Sequence, residues 1–194
     1  MANLPVSEFK LSQPLATKAG GRIAPITDKG NNAITIKPGV DLRAPYGAST
    51  WGGEPSNRMN LDLSIPAGSP EEAYFKQLDD WAVDAAFELR RELFKKDLSK
   101  EQVAGLLKPC LSYSTKFEGY YPTLRTKIST EGPRKTRCWN ADKQPVAVES
   151  VDFQASEITA NLAVKGLWCQ SNSFGFVFNV EDALCKEPPK ACPF

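Results

Sequence analysis

The chain has 194 residues and a net charge of +1, with 41% hydrophobic and 24% charged residues, a composition typical of a single globular domain. It contains no histidine, which excludes Ser-His-Asp and Cys-His catalytic sites and metal sites with histidine ligands. Five cysteines occur without a C-x-x-C pair, so we expect neither a zinc site nor a disulfide framework. Apolar runs are too short for a membrane helix, and no signal-peptide pattern opens the chain. We therefore expect an intracellular protein that is not secreted, does not bind a membrane and carries no cofactor or metal.

The N-terminal third predicts an irregular segment followed by short strands. Residues 1–32 contain scattered prolines and glycines without apolar periodicity, which favours a mostly irregular, flexible arm. Residues 33–37 form a predicted strand, and residues 40–46 form another whose proline favours the edge of a sheet. Residues 59–65 alternate apolar and polar side chains, which is typical of a half-buried strand.

A helical insertion is predicted at about residues 69–107. Ser69 at the N-cap, Pro70 at the first position and Glu72 at the third form a capping-box pattern. The apolar residues that follow at spacings of three and four predict one amphipathic helix of roughly seven turns, ending near residues 95–96. This apolar stripe consists of Tyr74, Leu78, Trp81, Ala85, Leu89 and Leu93. Ser99 and Gln102 form a second capping box for a short helix.

The remainder of the chain reads as β-structure. Predicted strands occupy residues 111–115, 123–129, 135–140 and 145–148, and residues 158–169 and 174–180 form a hairpin with a bulge at Gly166. About seven or eight strands with one helical insertion predict a mainly β (α+β) fold, an OB-fold-like Greek-key barrel. We expect this barrel domain at residues 33–184, between the arm and a flexible proline-rich tail at residues 185–194.

Basic and aromatic residues are concentrated in residues 108–143. This segment holds eight basic and three acidic residues, and aromatic rings lie between the cations. Cations can follow the phosphates of a single strand while rings stack on its bases, although a solvated loop beside core aromatics would have the same composition. The candidate nucleic-acid-binding residues in this segment are Tyr113, Lys116, Phe117, Tyr120, Tyr121, Arg125, Lys127, Arg134, Lys135, Arg137, Trp139 and Lys143.

The order of these elements resembles a known family over roughly residues 55–185. The stretches FEGYYPTLRTKI and TRCWNADKQPVAVESV, followed by the hairpin ANLAVKGLWCQSNSFGFVFNVEDAL, resemble the OB-fold single-stranded-DNA-binding proteins of T7-like phages and of large DNA viruses that infect algae and protists. The resemblance implies non-enzymatic, sequence-nonspecific binding of single-stranded DNA in viral replication, recombination and repair. It also implies a location in the host nucleus or cytoplasm, at sites of viral DNA replication.

The resemblance also assigns roles to the candidate residues. The strand that carries Tyr121, Arg125 and Lys127 would line the binding face. The loop residues Arg134, Lys135 and Arg137 would contact phosphates, and Trp139 would stack on a base. The hairpin residue Lys165 would extend this surface, and Trp168 would belong either to it or to the core.

Partners and one alternative function stay open at this stage. The chain ends in Pro193 and Phe194, similar to the aromatic ends through which replicative single-stranded-DNA-binding proteins recruit other replication proteins, but the ten preceding residues contain one acid, Glu187. RNA in place of DNA, and a homodimer formed through the helical stripe, are compatible with the sequence. The alternative is a virion structural or assembly protein without enzymatic activity, because the arm and tail are typical of segments that become ordered on neighbouring molecules.

Overall fold

The computed structural model describes residues 3–17, 20–50, 56–115 and 119–186. Within these ranges the chain forms thirteen strands and three α-helices. The strands are β1 (Phe9–Leu11), β2 (Leu15–Ala16), β3 (Arg22–Asp28), β4 (Ile34–Ile36), β5 (Leu42–Arg43), β6 (Ala48–Ser49), β7 (Arg58–Ser64), β8 (Leu111–Ser112), β9 (Thr123–Ser129), β10 (Arg137–Trp139), β11 (Pro145–Val146), β12 (Glu157–Gln170) and β13 (Ser173–Lys186). The helices are α1 (Pro70–Glu88), α2 (Arg90–Phe94) and α3 (Lys100–Leu106). None of these described helices is long and apolar enough to span a membrane.

Five strands form a closed ring of hydrogen-bonded neighbours. β5 pairs with β7, β7 with β9, β9 with β13, β13 with β12, and β12 returns to β5. If these five strands are numbered one to five in chain order, their order around the ring is one-two-three-five-four, which is a Greek-key connection. The fold is thus an OB-fold-like α+β barrel with its helices inserted after β7, which confirms the fold class predicted from the sequence.

The N-terminal segment is not the irregular arm that the sequence suggested. It contributes β1, β2 and β3, and β3 pairs with β12 as well as with β1 and β2. Pro25, a residue type that disfavours strands, lies in the middle of β3, but it faces Gly166, where a bulge interrupts the ladder. A proline without an N–H is tolerated at such a position, so the sheet begins well before residue 33.

The terminal hairpin is confirmed and is longer than predicted. β12 and β13 each have 14 residues, and β13 continues to Lys186; the rest of the predicted tail lies outside the described residues. The predicted bulge is present, since Val164 pairs with Phe178 while Gly166 pairs with Val177. A Cβ atom at Gly166 would lie 2.3 Å from the carbonyl oxygen of Ala24 in β3. Glycine therefore permits the close approach of the two strands.

The strand predicted at residues 40–46 is shorter than expected and does not lie at an edge. β5 comprises two residues and bridges β12 and β7, because Arg43 pairs with both Glu157 and Ser64. Pro45 follows the end of this strand, so it does not interrupt the ladder. The short strand closes the barrel at this point.

Both predicted helix starts are confirmed. The Ser69 hydroxyl accepts a hydrogen bond from the Glu72 N–H at 3.1 Å, and Ser99 and Gln102 form a complete capping box. The prediction of one continuous helix to residue 95 is wrong, because α1 ends at Glu88 and α2 begins at Arg90. The Arg90 side chain donates to the Phe87 carbonyl at 3.0 Å, and this bond stabilises the break.

The buried face of α1 is shifted by about one residue from the predicted stripe. Phe75, Leu78, Ala82 and Ala86 are buried, whereas Tyr74, Trp81 and Leu89 are partly buried along its flank. Phe75 packs edge-to-face on Phe178 of β13, with ring centroids 5.7 Å apart. The helices thereby cover the aromatic face of β13.

Candidate nucleic-acid interface

The outer face of β9 carries cations and the inner face belongs to the core. Leu124, Thr126 and Ile128 are buried, whereas Arg125 is exposed and Lys127 is half-buried on the opposite face. This alternation follows from the two-residue period of a strand. β9 therefore presents its two central basic side chains away from the barrel interior.

A cleft opens where β9 and β13 diverge. The two strands are joined through the single residue pair Lys127–Asn179, and β13 then pairs with β10 from Asp182 onward. The separation leaves a cleft of about 320 Å³. Its lining residues are Lys127, Ser129, Pro133, Arg134, Lys135, Arg137, Lys165, Asn179, Val180 and Glu181. The cleft thus brings together five of the basic residues singled out in the sequence.

Lys127 lies at the centre of this positive surface. Its ammonium donates to the Asn60 side-chain oxygen at 2.7 Å and forms no ion pair with a carboxylate of the described residues. Burial, followed by the positive charges of Arg58 and Arg125, lowers the pKa of Lys127 below its usual value. A phosphate placed here would supply the negative charge that favours the protonated lysine.

The loop between β9 and β10 forms one wall of the cleft and is fixed by Thr136. The buried Thr136 hydroxyl accepts from the Ser129 N–H at 3.0 Å and donates to the Val180 carbonyl at 2.8 Å. Arg134 and Lys135 project from this anchored loop and are exposed. Lys135 pairs with Glu149 at 3.1 Å, whereas Arg134 forms no ion pair within the described part of the chain.

β10 and the hairpin add further basic residues. Arg137 and Trp139 alternate with the buried Cys138, and the Arg137 guanidinium carbon lies 5.9 Å from the centre of the Trp139 ring. Lys165 lies on the hairpin and is half-buried. A ring beside a cation is a suitable platform for an unpaired base next to a phosphate.

The predicted tyrosines lie at the other end of β9. Tyr120 and Tyr121 precede the strand and are 64% and 55% exposed, roughly 20 Å from the cleft end of β9 at ~3.4 Å per residue. The Tyr113 hydroxyl donates to Glu72 at the start of α1, at 2.7 Å, which ties this ring to the helical side. Tyr113 therefore does not join the cleft.

The other predicted residues have mixed positions. Trp168 is half-buried on the outer face of β12, because the bulge leaves its neighbours Leu167 and Cys169 in the core. Lys143 is exposed in the turn between β10 and β11. Lys116 and Phe117 lie outside the described residues.

Arg58 and Asn179 were not predicted as site residues from the sequence. The Arg58 guanidinium donates to the Asn179 side-chain oxygen at 3.1 Å, beside Lys127. Arg58 begins β7 and lies on the same face as Asn60, two residues on. The two-residue period of this strand could have identified Arg58, whereas the position of Asn179 depends on long-range pairing. Among the described residues there is no group of three or more histidine, cysteine or acidic side chains that could hold a metal ion.

The fold can be compared with solved structures. The chain shares its fold with gp2.5, a single-stranded DNA binding protein encoded by bacteriophage T7, with a TM-score of 0.56, 10% sequence identity and coverage of 84% of this chain and 91% of that chain. It is also similar to the single-stranded DNA-binding protein from bacteriophage Enc34 in complex with ssDNA, with a TM-score of 0.51, 11% identity and coverage of 93% and 97%. A C-terminal truncation of the Enc34 protein gives a TM-score of 0.52 at 12% identity, with the same coverage. The phage part of the resemblance predicted from the sequence is therefore confirmed at the level of the fold.

A family assignment follows from the sequence itself. Residues 54–193 match the family described as "Family of unknown function (DUF5871)", and the chain belongs to that family. No curated protein shows significant sequence similarity to the chain. The matched region contains the barrel strands from β7 onward, the helical insertion and the whole cationic cleft.

Proposed function

We propose that the protein binds single-stranded DNA without sequence preference. The observation that carries this proposal is the cleft between β9, the anchored loop and the hairpin, in which five cationic side chains converge on the outer face of an OB-fold-like barrel. Phosphate contacts of this kind are independent of base sequence. The fold shared with phage proteins whose solved structures are described as single-stranded-DNA-binding adds support.

The placement of cations and rings supports one path for the bound DNA strand. Phosphates lie along Arg125, Lys127 and the cleft, and bases stack on Trp139 and on the exposed tyrosines that precede β9. A strand on this path follows β9 for roughly 20 Å, which corresponds to several nucleotides of an OB-fold site. Duplex DNA offers no unstacked bases to the rings, so we expect a preference for single strands.

The test is a fluorescence-anisotropy titration with a labelled oligonucleotide of about 30 nucleotides as single-stranded DNA, single-stranded RNA and duplex DNA, at low and high salt. We expect tight binding to single strands, weakened by salt. The double variant Arg134→Glu, Lys135→Glu should bind weakly. The salt slope, meaning the slope of the logarithm of the binding constant against the logarithm of the salt concentration, should be smaller in magnitude by about 0.7 for each phosphate that is no longer neutralised.

A double charge reversal at Lys95→Glu, Lys96→Glu is the matched control. These two adjacent lysines are exposed at the end of α2, on the helical side of β13, and the change in net charge is the same. We expect this variant to bind like the wild type. Equally weakened binding in both double variants would reject the cleft as the site, and absence of binding at low salt would favour the structural or assembly role instead.

The biological setting is part of the proposal. We place the protein in viral DNA replication, recombination and repair inside the host cell, without enzymatic activity of its own. Recruitment of replication proteins through Pro193 and Phe194 and formation of a homodimer also belong to the proposal; the two terminal residues lie outside the described ranges. A DNA-over-RNA preference in the titration would support the replication setting.

A further inference from the structure

Several of the cations on the proposed binding face already pair with a carboxylate of the protein. Arg125 pairs with Asp62 at 3.1 Å and Lys135 with Glu149 at 3.1 Å. These two pairs lie on β9 and on the anchored loop, next to the path proposed for the strand. A phosphate that approaches either cation must therefore compete with the carboxylate that already pairs with it.

Two further pairs lie on the hairpin side of the cleft. Arg137 pairs with Asp182 at 2.6 Å, and Lys165 pairs with Glu181 at 2.8 Å. Glu181 is the carboxylate that lines the cleft itself, and its side chain is 42% exposed. It therefore lies in the same space that a phosphate bound to Lys165 would occupy.

The cations without a carboxylate partner in the described residues occupy the middle of the face. Lys127 and Arg58 donate to the neutral amides of Asn60 and Asn179, and Arg134 is exposed in the loop. The face is thus divided into a central group that is ready to bind phosphate and a surrounding group that is held by acids.

We propose that Asp62, Glu149, Glu181 and Asp182 act as built-in competitors for nucleic-acid phosphate, and that Glu181 sets how readily a bound strand dissociates. This inference rests on the proposed function and concerns the regulation of the same cleft. When single-stranded DNA enters the cleft, its phosphates replace the carboxylates as partners of the cations. The displaced carboxylates remain close enough to repel the DNA. The protein therefore releases a single strand faster than its basic residues alone would permit.

The test is the variant Glu181→Gln, which removes the charge and preserves the shape of the side chain. We expect single-stranded DNA to bind roughly 3-fold to 10-fold more tightly at low salt, through slower dissociation, as the removal of one repulsive charge within a few ångströms allows. Because Lys165 then neutralises a phosphate fully, the salt slope should steepen by about 0.7. Anisotropy gives the affinity, and stopped-flow dissociation into excess unlabelled strand gives the rate.

Two controls separate this role from general electrostatics. Asp84→Asn makes the same change in net charge and breaks the Lys100–Asp84 pair between α3 and α1, on the helical side. Glu181→Asp keeps the charge in the cleft. Both controls should bind like the wild type.

The outcomes distinguish this inference from the proposed function. If the wild type binds single strands and Glu181→Gln has the same affinity and dissociation rate, the inference is overturned and the proposed function stands. Equal tightening in Glu181→Gln and Asp84→Asn would also overturn it. If neither the wild type nor Glu181→Gln binds at low salt, both are rejected.

Discussion

Two features of its surroundings destabilise the charged form of Lys127 in the free protein. It is half-buried at the seam of the barrel, and the charges of Arg58 and Arg125 act on it together with the loss of hydration, so its pKa is lowered. A bound phosphate would reverse this balance and raise the pKa again. In the pH range in which Lys127 titrates, binding of single-stranded DNA should therefore be coupled to the uptake of a proton by this side chain.

This coupling predicts a pH dependence of binding. Because Lys127 loses its charge at a lower pH than an ordinary lysine, the affinity of the wild type for single-stranded DNA should decline as the pH is raised from about 7 to about 10. The variant Lys127→Arg should lack this decline, since arginine stays protonated throughout this range. The measurement is the anisotropy Kd across the pH series at constant ionic strength.

Lys135→Arg is the matched control for this prediction. It makes the same substitution on the same face, at Lys135, which lies in the exposed loop and pairs with Glu149. Its pH profile should follow that of the wild type. Superimposable profiles for the wild type and Lys127→Arg would contradict the assignment of Lys127 as the titrating group.

At the scale of elements, the contact between β3 and β12 depends on Gly166, which has no side chain. A Cβ atom at Gly166 would clash with the Ala24 carbonyl at 2.3 Å, and both partners are backbone of paired strands. Gly166→Ala should therefore lower the free energy of unfolding by about 1–3 kcal/mol, the usual cost of overpacking. Urea denaturation followed by circular dichroism would measure this decrease.

Gly105→Ala provides a control of opposite sign. Gly105 lies in α3, and no atom lies within 4 Å of the position a Cβ atom would take. Alanine there should increase the free energy of unfolding by about 0.4–1 kcal/mol, because it restricts the unfolded chain and favours the helix. A stable Gly166→Ala variant would show that β3 is not held against the bulge.

Local signals in the sequence were enough for the elements whose stability is local. The cap at Ser69 and the capping box at Ser99 depend on residues three positions away, and the hairpin depends on two alternating runs around a short turn. The strand β3 was missed because Pro25 is acceptable only opposite a bulge more than a hundred residues away. No local pattern carries that information.

The same distinction applies to the candidate site. The cations of β9 could be placed on one face from their two-residue spacing, and the basic loop could be recognised by composition. The carboxylates that pair with these cations could not be identified, because Glu149, Glu181 and Asp182 approach them through the packing of β10 and β13. The sequence therefore predicted the positive charge of the site but not the carboxylates that partly neutralise it.

At the scale of the whole molecule, the cleft connects parts of the barrel that are distant in the chain. Its walls come from β9, from the loop before β10 and from both strands of the terminal hairpin, and they meet at the Lys127–Asn179 pair. A ligand that contacts all of these elements holds the seam of the ring closed. Unfolding must separate these elements, so ligand binding and global stability are linked.

This linkage predicts that single-stranded DNA raises the melting temperature. At a free strand concentration of about 100 times the Kd, binding adds about 2.7 kcal/mol to the free energy of unfolding. For a chain of this size, this corresponds to an increase in Tm of roughly 5–10 °C. Differential scanning fluorimetry with and without an oligonucleotide would measure the shift.

The variant Arg134→Glu, Lys135→Glu separates the stability of the fold from the energy of binding. Both side chains are exposed, whereas the loop is held by the buried Thr136, so the Tm of this variant without DNA should stay near that of the wild type. Addition of the same single strand should then leave its Tm nearly unchanged. An equal shift in variant and wild type, or an equal shift with duplex DNA, would place the binding energy outside the cleft, because a ligand stabilises a fold only through the surface to which it binds.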